Sequence, residues 1–401
     1  MAALRFKDHN GQPFETPDEL TIQDLFDKVK TTNKDEANKN VITNSAEHGL
    51  IPQREFFDKD IAVDGNTSKY TVIHDGDFVY NPRKSSTAPY GPFNCYTKPE
   101  SGIVSPLYSC LTPKNRDYTP YLLYYFASPA WYSYIYHNGN QGGARHDRVG
   151  MTDDLLQGIP VLLPCQEEQN KITAFLSLCD KRVTIQAEKV EALEVRRKGL
   201  LQGIFSRKIR FKADDGSEFP DWESHTMGEF FTERKTKAKG NEELLSVTIA
   251  NGVIRQADSA KRDNSSEDKS NYKQVMKGDM AYNTMRMWQG AEGVSYWDGI
   301  VSPAYTIITP EKDVNAEFFM ILFKTFDALK QFTIYSQGMT SDQWNLKFDI
   351  FSDLEFDIPC SEEQAKIVSF FKLLDKQIQI EKDKLEAIKQ VKKGLLQQMF
   401  V

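Results

Sequence analysis

Apolar side chains recur in alternating steps of four and three residues along the segment that begins after Pro164. This spacing is typical of the seam of a coiled coil. It returns 195 residues later, in the segment that begins after Pro359. We therefore predict two long helices, within 164–206 and 359–401. Their seam positions are Ile172, Leu176, Cys179, Val183, Gln186, Val190, Leu193, Arg197, Leu200 and Ile204 in the first, and Ile367, Phe371, Leu374, Ile378, Glu381, Leu385, Ile388, Lys392, Leu395 and Met399 in the second.

Polar residues interrupt both seams at the same register. Gln186 corresponds to Glu381, and Arg197 corresponds to Lys392. Polar residues within a seam restrict which partner and register a helix accepts. The shared interruptions therefore favour pairing of the two helices with each other.

The repeat extends beyond the helices to the whole chain. Residues 4–7 (Leu-Arg-Phe-Lys) return as 209–212 (Ile-Arg-Phe-Lys), and residues 102–106 return as 299–303. The chain thus consists of two diverged copies of a unit of about 200 residues, a period that indicates domain duplication. We predict a first domain over 1–163 and a second over 207–358, related by a pseudo-two-fold axis.

The order of the repeated segments predicts the direction of the helix pair. The first copy continues through Phe205 into residues 209–212, whereas the counterpart of that continuation for the second copy lies at residues 4–7. The sequence is therefore close to circular. Such an arrangement requires the two long helices to run antiparallel.

Each domain alternates short strands, turns and helices, so the predicted class is α+β. Residues 70–80 and 272–282 each have the pattern of a strand, a turn with Gly-Asp and a second strand. Residues 318–332 have the apolar density of one buried helix, and residues 121–136 are the counterpart. Ser361 and Gln364 have the spacing of a capping box at the start of the second long helix.

The chain has 401 residues, a net charge of −7, and 40% hydrophobic and 27% charged residues. These values are ordinary for a soluble protein of two domains or more. The negative charge argues against indiscriminate nucleic-acid binding but leaves local basic patches open. Without a membrane-length apolar run or a signal-peptide core, we expect a cytoplasmic protein with no membrane partner. Five cysteines without a C-x-x-C pair favour reduced thiols over a zinc site.

Polar and basic loops follow the second strand of each pair and return near the end of each domain. Arg, Lys, Asn, Gln and Thr side chains read base edges and phosphates, and glycine allows close backbone approach to a ligand. Plain surface turns are the alternative interpretation of every one of these residues. The candidate DNA-contacting residues are Arg83, Lys84, Gly142, Gly143, Arg145, His146 and Arg148 in the first domain, and Arg234, Lys235, Arg286, Gln289, Gln337, Gly338, Thr340 and Gln343 in the second.

Further basic residues lie on the flanks of the long helices and directly after the first of them. Those on the flanks of the long helices are better explained as a solvated coiled-coil surface than as DNA contacts. The denser run of Arg207, Lys208, Arg210 and Lys212 is a better candidate for phosphate contacts. Catalytic motifs are missing, because the sequence contains no P-loop, no H-E-x-x-H and no G-x-S-x-G.

Two diverged domains, each followed by a helix that opens with Pro-x-x-Glu-Glu-Gln and closes with Lys-Gly-Leu-Leu-Gln, resemble the specificity subunit of a type I restriction-modification system. The resemblance covers essentially the whole chain. Its strongest carriers are the Glu-Glu-Gln segments at 167–169 and 362–364, the Gly-Asp pairs at 76–77 and 278–279, and the Arg-Phe-Lys segments at 5–7 and 210–212.

This resemblance implies a function. Each domain would be a target recognition domain that reads one half of a split, asymmetric site on double-stranded DNA. The paired helices would set the spacing and dock methyltransferase subunits, two of them because the docking surface is duplicated. S-adenosylmethionine and the catalytic residues would belong to those partners, and this chain would hold no cofactor or metal. Whether restriction subunits also bind is open.

Two other functions are weighed against this one. A coiled-coil scaffold with two protein-binding domains has no need for basic loops at matching strand ends, which favour DNA. A self-contained DNA methyltransferase or nuclease is disfavoured by the missing motifs. Failure to bind DNA at any salt concentration with partners present would favour the scaffold, whereas cofactor binding by the isolated chain would favour the enzyme.

Overall fold

The computed structural model describes residues 4–56, 67–139, 147–240, 242–259, 263, 265–340 and 343–400. The chain divides into two compact units. The first unit comprises Met1–Glu188 and Asp383–Val401, and the second unit comprises Lys189–Lys382. Each unit therefore contains one globular domain together with parts of both long helices.

Among its described residues, the first unit contains ten strands, five short helices, the start of the first long helix and the end of the second. The strands are β1 (Asp18–Thr21), β2 (Phe26–Lys28), β3 (Val41–Ser45), β4 (Gly49–Pro52), β5 (Thr71–Ile73), β6 (Phe78–Tyr80), β7 (Phe93–Cys95), β8 (Gly102–Val104), β9 (Ser109–Pro113) and β10 (Pro160–Leu163). The helices are α1 (Ile22–Leu25), α2 (Gln53–Phe56), α3 (Thr119–Ala127), α4 (Tyr132–Asn138), α5 (Asp153–Gln157) and α6 (Gln166–Phe205), with a 3-10 turn at Arg116–Tyr118.

Two four-stranded sheets and a two-stranded ladder build the first domain. Their strand orders are β2-β9-β6-β7, β4-β3-β8-β5 and β1-β10. The main core lies between the first of these sheets and α3, where Phe26, Phe78, Phe93 and Phe126 pack largely edge to face around one another. Trp131 closes this core and is almost completely buried.

The second unit contains the second domain, the end of α6 and most of the second long helix. The strands are β11 (Glu223–Thr226), β12 (Phe231–Glu233), β13 (Leu245–Thr248), β14 (Gly252–Arg255), β15 (Lys273–Val275), β16 (Met280–Asn283), β17 (Glu292–Val294), β18 (Gly299–Val301), β19 (Tyr305–Pro310) and β20 (Glu355–Ile358). The helices are α7 (Ala316–Leu322), α8 (Phe326–Tyr335), α9 (Phe348–Ser352) and α10 (Ser361–Met399), with 3-10 turns at Met227–Glu229, Gln256–Asp258 and Met287–Gln289.

The second domain repeats the topology of the first. The sheet β12-β19-β16-β17 has the same connectivity as β2-β9-β6-β7, and the ladder β11-β20 corresponds to β1-β10. The third sheet differs, because β13-β14 and β15-β18 are separate ladders joined by a single parallel bridge between Leu244 and Ile300. The predicted α+β class with duplicated domains is confirmed.

The two predicted strand–turn–strand segments form as expected, but their strands separate into different sheets. Strand β5 pairs with β8, whereas β6 pairs with β7 and β9. The corresponding strands β15 and β16 separate in the same way. Glycine is required at both turns, since φ is +82° at Gly76 and +95° at Gly278.

The predicted single helices over 121–136 and 318–332 were wrong, because each is two helices. Helix α3 ends at Ala127, and Pro129 lies in the turn before α4, where its ring and missing N–H cannot continue a helix. In the second domain Thr325 caps α8 by accepting a hydrogen bond from the backbone N–H of Ala328. Apolar density concealed both breaks.

The predicted seam of the long helices is confirmed, because all twenty of its positions are buried or half-buried. In the second unit Lys189 lies 3.1 Å from Glu381, and Arg197 binds Asp375. The residue numbers of the partners on α10 therefore decrease as the residue numbers on α6 increase, so the two helices run antiparallel. In the first unit Asp180 binds Lys392.

The Arg-Phe-Lys and Glu-Glu-Gln segments meet in space within each unit. Arg5 binds the buried carboxylate of Glu168, and Phe6 packs on Phe175 with ring centroids 5.7 Å apart. In the second unit Arg210 Nη2 lies 2.7 Å from Glu363 Oε2, and Phe211 packs on Phe370 at 5.6 Å. These contacts attach the segment before each domain to the start of the long helix that follows it.

The expected capping box at Ser361 does not form. Ser361 is already the first residue of α10, one position inside the place where a cap would lie. Gln364 instead donates its side-chain amide to the carbonyl oxygen of Pro359 at 2.9 Å. Gln169 makes the same bond to Pro164 at 2.7 Å in the first copy.

Candidate nucleic-acid interface

In the first unit the loop after β6 lies against the segment that precedes α5. The backbone N–H of Val149 donates to Pro82 O at 2.8 Å, and that of Lys84 donates to Asp147 O at 2.8 Å. Arg83 and Arg148 form an isolated antiparallel bridge. The structure therefore brings together three predicted site residues, Arg83, Lys84 and Arg148.

The ion pair between Arg83 and Asp147 at this junction is largely open to solvent. The side chain of Arg83 is 69% exposed, and its Nε atom lies 3.7 Å from Asp147 Oδ2. Lys84 and Arg148 are half-buried. An exposed ion pair of this kind contributes little to stability, so a phosphate can replace Asp147 as the partner of Arg83 at small cost.

In the second unit the corresponding two segments are joined in the same way. The backbone N–H of Leu346 donates to Thr284 O at 2.9 Å, which is the counterpart of the bond from Val149 to Pro82. The indole rings of Trp288 and Trp344 pack edge to face with centroids 5.1 Å apart. Each unit thus has one such pair of segments, which we call the reading loops: 81–84 with 147–149, and 283–290 with 337–346.

Asparagine fixes the start of the first segment in both units. The side-chain oxygen of Asn81 accepts from the N–H of Arg83, and that of Asn283 accepts from the N–H of Met285, both at 3.0 Å. A side chain that bonds its own backbone two residues later stabilises a turn. The two copies therefore share a backbone frame whose side chains differ.

Six of the predicted residues of the second unit lie in its reading loops, namely Arg286, Gln289, Gln337, Gly338, Thr340 and Gln343. Arg286 is exposed, and its Nη1 donates to Gln289 Oε1 at 3.3 Å. Gln337 pairs with Asn345 through two backbone bonds of 3.0 and 2.8 Å. Gly338 has φ of +144°, and a Cβ there would lie 2.6 Å from Gln343 O. The N–H of Gln343 donates to Thr340 O at 2.9 Å.

Two predicted site residues lie away from these loops. Arg234 makes a two-point bond to Asp279, with Nε and Nη2 at 2.7 and 2.9 Å from the carboxylate oxygens. Asp279 is buried and also accepts from Thr309 Oγ1, so this arginine is held as a structural ion pair. Lys235 is 80% exposed and lies 3.2 Å from Glu233.

Four predicted site residues, Gly142, Gly143, Arg145 and His146, lie outside the described residues.

Two features of the site were not predicted from the sequence. Asp147 supplies the backbone carbonyl and carboxylate that join the first pair of segments. Trp288 and Trp344 supply the packing that joins the second. The aromatic residues could have been found, because tryptophan in a polar loop is a costly residue to expose without a packing partner. No local signal identified Asp147.

The basic run after α6 is engaged in ion pairs. Arg207 Nη1 lies 3.1 Å from Asp357 Oδ2, and Lys212 Nζ lies 2.8 Å from Glu218 Oε1. Arg210 holds Glu363 as described above. Lys208 is exposed. The structure thus gives three of these four residues an internal acidic partner.

The described part of the chain also bears on metal sites, reactive cysteines and membrane-spanning helices. No group of three or more His, Cys, Asp or Glu residues there could hold a metal ion. All five cysteines are free thiols, and burial raises the pKa of Cys95 and Cys110 to about 12. Among the described helices, none is long and apolar enough to cross a membrane.

Comparison with known proteins finds a family model that resembles the second copy. Residues 220–390 match the family model of the type I restriction modification DNA specificity domain. This segment contains the second pair of reading loops and much of α10.

Solved structures resemble the entire chain. One is a chain from a structure on complex assembly and conformational transition of the type I R-M system, with TM-score 0.58, 14% identity and coverage of 97% of this chain and 99% of that one. Another is the type I restriction-modification S subunit from M. genitalium, with TM-score 0.49, 14% identity and coverage of 100% and 99%. At 14% identity, the similarity to the first of these structures shows a shared fold, and it extends over both copies of the repeat.

Proposed function

We propose, from the match of residues 220–390 to the type I restriction modification DNA specificity domain, that the chain is the DNA-recognition subunit of such a system. In this proposal each copy reads one half of a bipartite, asymmetric site on double-stranded DNA. The chain itself performs no catalysis. It acts by placing methyltransferase subunits on the DNA.

The observation that carries the proposal is the recurrence of the reading loops. The bonds from Val149 to Pro82 and from Leu346 to Thr284 give both copies the same frame. The exposed side chains on that frame differ, with Arg83 in one copy and Arg286 in the other. A shared frame with different polar side chains suits the reading of two different base sequences.

A duplicated surface on the long helices supports partner docking. Leu178 and Leu373 occupy equivalent positions off the seam, and their side chains are 65% and 70% exposed. Ile185 and Ile380, seven residues further on, are 56% and 43% exposed. Apolar side chains repeated outside a filled seam suit helices of another protein. We propose that each such surface takes one methyltransferase subunit.

S-adenosylmethionine would bind to those partner subunits. A restriction subunit would be an additional partner of the same assembly.

The test is methylation of a DNA library randomised at both half-sites by the chain together with its methyltransferase partner. The proposal predicts a split motif and no methyl transfer by either protein alone. A continuous motif, or robust transfer by the purified chain alone, would contradict it. Replacing Leu178 and Leu373 by Asp should abolish assembly, whereas Asp at the exposed, polar position of Lys198 should not.

A further inference from the structure

Lys324 reaches from the break between α7 and α8 to the end of the second reading loop. Its Nζ atom donates to the carbonyl oxygen of Gly290 and lies 3.4 Å from that of Ile249. Gly290 ends the 3-10 turn Met287–Gln289 in the left-handed conformation, with φ of +76°. A lysine thus holds the backbone at the point where the reading loop returns to the sheet.

The lysine has a buried counter-charge. Glu292, in β17, is almost fully buried, and its Oε1 atom lies 2.9 Å from Lys324 Nζ. No hydroxyl or amide group among the described residues donates to either carboxylate oxygen. The carboxylate therefore depends on Lys324 for its compensation, and Lys324 is fixed between it and the loop.

Among the described residues of the first copy, an apolar contact takes the place of this ion pair. Glu292 lies opposite Tyr282 in the ladder as Phe93 lies opposite Tyr80, so Phe93 is its counterpart. Phe93 packs on Phe126 with ring centroids 4.1 Å apart. An apolar aromatic contact therefore fills this place in the first copy.

The exchange of an apolar contact for a buried ion pair calls for a reason other than stability. A buried ion pair is often no more stabilising than well-packed apolar residues of similar volume, but it fixes geometry where its donors meet specific acceptors. Here the ammonium group of Lys324 donates to the carbonyl oxygen of Gly290, which lies four residues after Arg286 and one after Gln289. These are the polar side chains that the second reading loop presents.

We propose that Lys324, held by Glu292, is a positioning residue that sets base selectivity at the second half-site. The inference rests on the proposed function, since it requires the loop 283–290 to read DNA. Lys324 does not itself touch the bases. It fixes the backbone from which Arg286 and Gln289 extend.

The first test needs no DNA. The variant Lys324→Met retains the apolar stem but leaves Glu292 without a counter-charge, which can prevent folding. The double variant Lys324→Met with Glu292→Leu restores an apolar interior like that of the first copy. In the full-length double variant, amide hydrogen exchange at Gln289, Gly290 and Ala291 should accelerate roughly tenfold while the rest of the second domain stays protected.

The second test measures selectivity in the complex with the methyltransferase partner. The double variant should lose roughly tenfold of its preference at the second half-site and keep its preference at the first. Lys330→Met, at an exposed position on α8, is the matched control and should change neither. Lys324→Arg, which keeps the charge and the hydrogen-bond donors, should retain most of the wild-type preference at the second half-site.

The outcomes separate the two claims. Unchanged amide exchange at Gln289, Gly290 and Ala291 in a folded double variant overturns the claim that Lys324 positions the loop. Faster exchange with unchanged second half-site preference overturns the role in selectivity. A wild-type complex without any preference at a second half-site overturns the proposed function itself, and the selectivity role with it.

Discussion

Arg197 of α6 makes a two-point ion pair with Asp375 of α10, with Nη2 3.0 Å from Oδ2. The same relationship joins Lys392 to Asp180, and both residues of that pair are displaced by 195 positions from the first. The polar interruption that both seams share is thus explained by an acidic partner across the helix pair. It fixes the antiparallel register where an apolar residue would accept several registers.

This pair should couple measurably but modestly, because Asp375 is 50% exposed. A double-mutant cycle of Arg197→Met and Asp375→Asn should give about 0.5 to 1 kcal/mol of coupling in the free energy of unfolding. The cycle of Lys392→Met and Asp180→Asn is the internal comparison and should have the same sign. Zero coupling in both cycles would show that the pairs do not set the register.

Arg210 should matter for stability rather than for DNA affinity. It neutralises Glu363, whose side chain is 1% exposed and which also accepts from Trp222 Nε1 at 3.0 Å. Arg210→Met should lower the free energy of unfolding by about 3 to 5 kcal/mol, because it leaves the buried charge of Glu363 without its ionic partner. The exposed neighbour Lys208, changed to Met, is the control. A stable Arg210→Met protein with weaker DNA binding would favour a phosphate contact.

The two sets of reading loops should be separable. Arg83→Ala or Arg148→Ala should change preference at the first half-site only, and Arg286→Ala at the second only. A base contact should contribute about 1 to 3 kcal/mol of discrimination, whereas a phosphate contact should weaken all sequences alike and reduce the salt dependence. Methylation of the randomised library measures both. Crossed effects, or none, would mean that other residues read the DNA.

Glu292 should make stability depend on pH. Burial raises its pKa from the usual 4.5 to about 7, and the charge of Lys324, the ionic group that faces it, opposes this rise. Between these two pH values the folded protein holds a proton that the unfolded chain releases, so the free energy of unfolding falls as pH rises. Urea unfolding of Glu292→Gln at pH 4.5 to 8 should show a shallower decline than the wild type, and equal slopes would contradict the assignment.

The sequence predicted what local periodicity encodes. The seam from Ile172 to Ile204 was correct at every position, because a heptad pattern reports directly on which side of a helix is covered. The breaks after α3 and α7 were missed, although Pro129 and Thr325 were visible as a helix breaker and a cap. Apolar density was given too much weight against these signals.

Contacts between residues that are distant in the sequence could not be predicted from local patterns. That β5 and β6 join different sheets depends on strands far along the chain. Arg234 looked like a free cation because Asp279, its partner, lies 45 residues away. The placement of Arg83 beside Arg148 agrees with the predicted loops, yet their contact with DNA stays a prediction.

The central claim is that one chain reads two unlike half-sites and directs a partner to methylate them. The most direct measurement is single-molecule sequencing of adenine methylation in a host that carries this gene with its neighbours, for the wild type and for Arg286→Ala. We expect methylation at one split, asymmetric motif, with only the second half relaxed in the variant. Absence of motif-specific methylation, or a motif without an unread spacer, would contradict it.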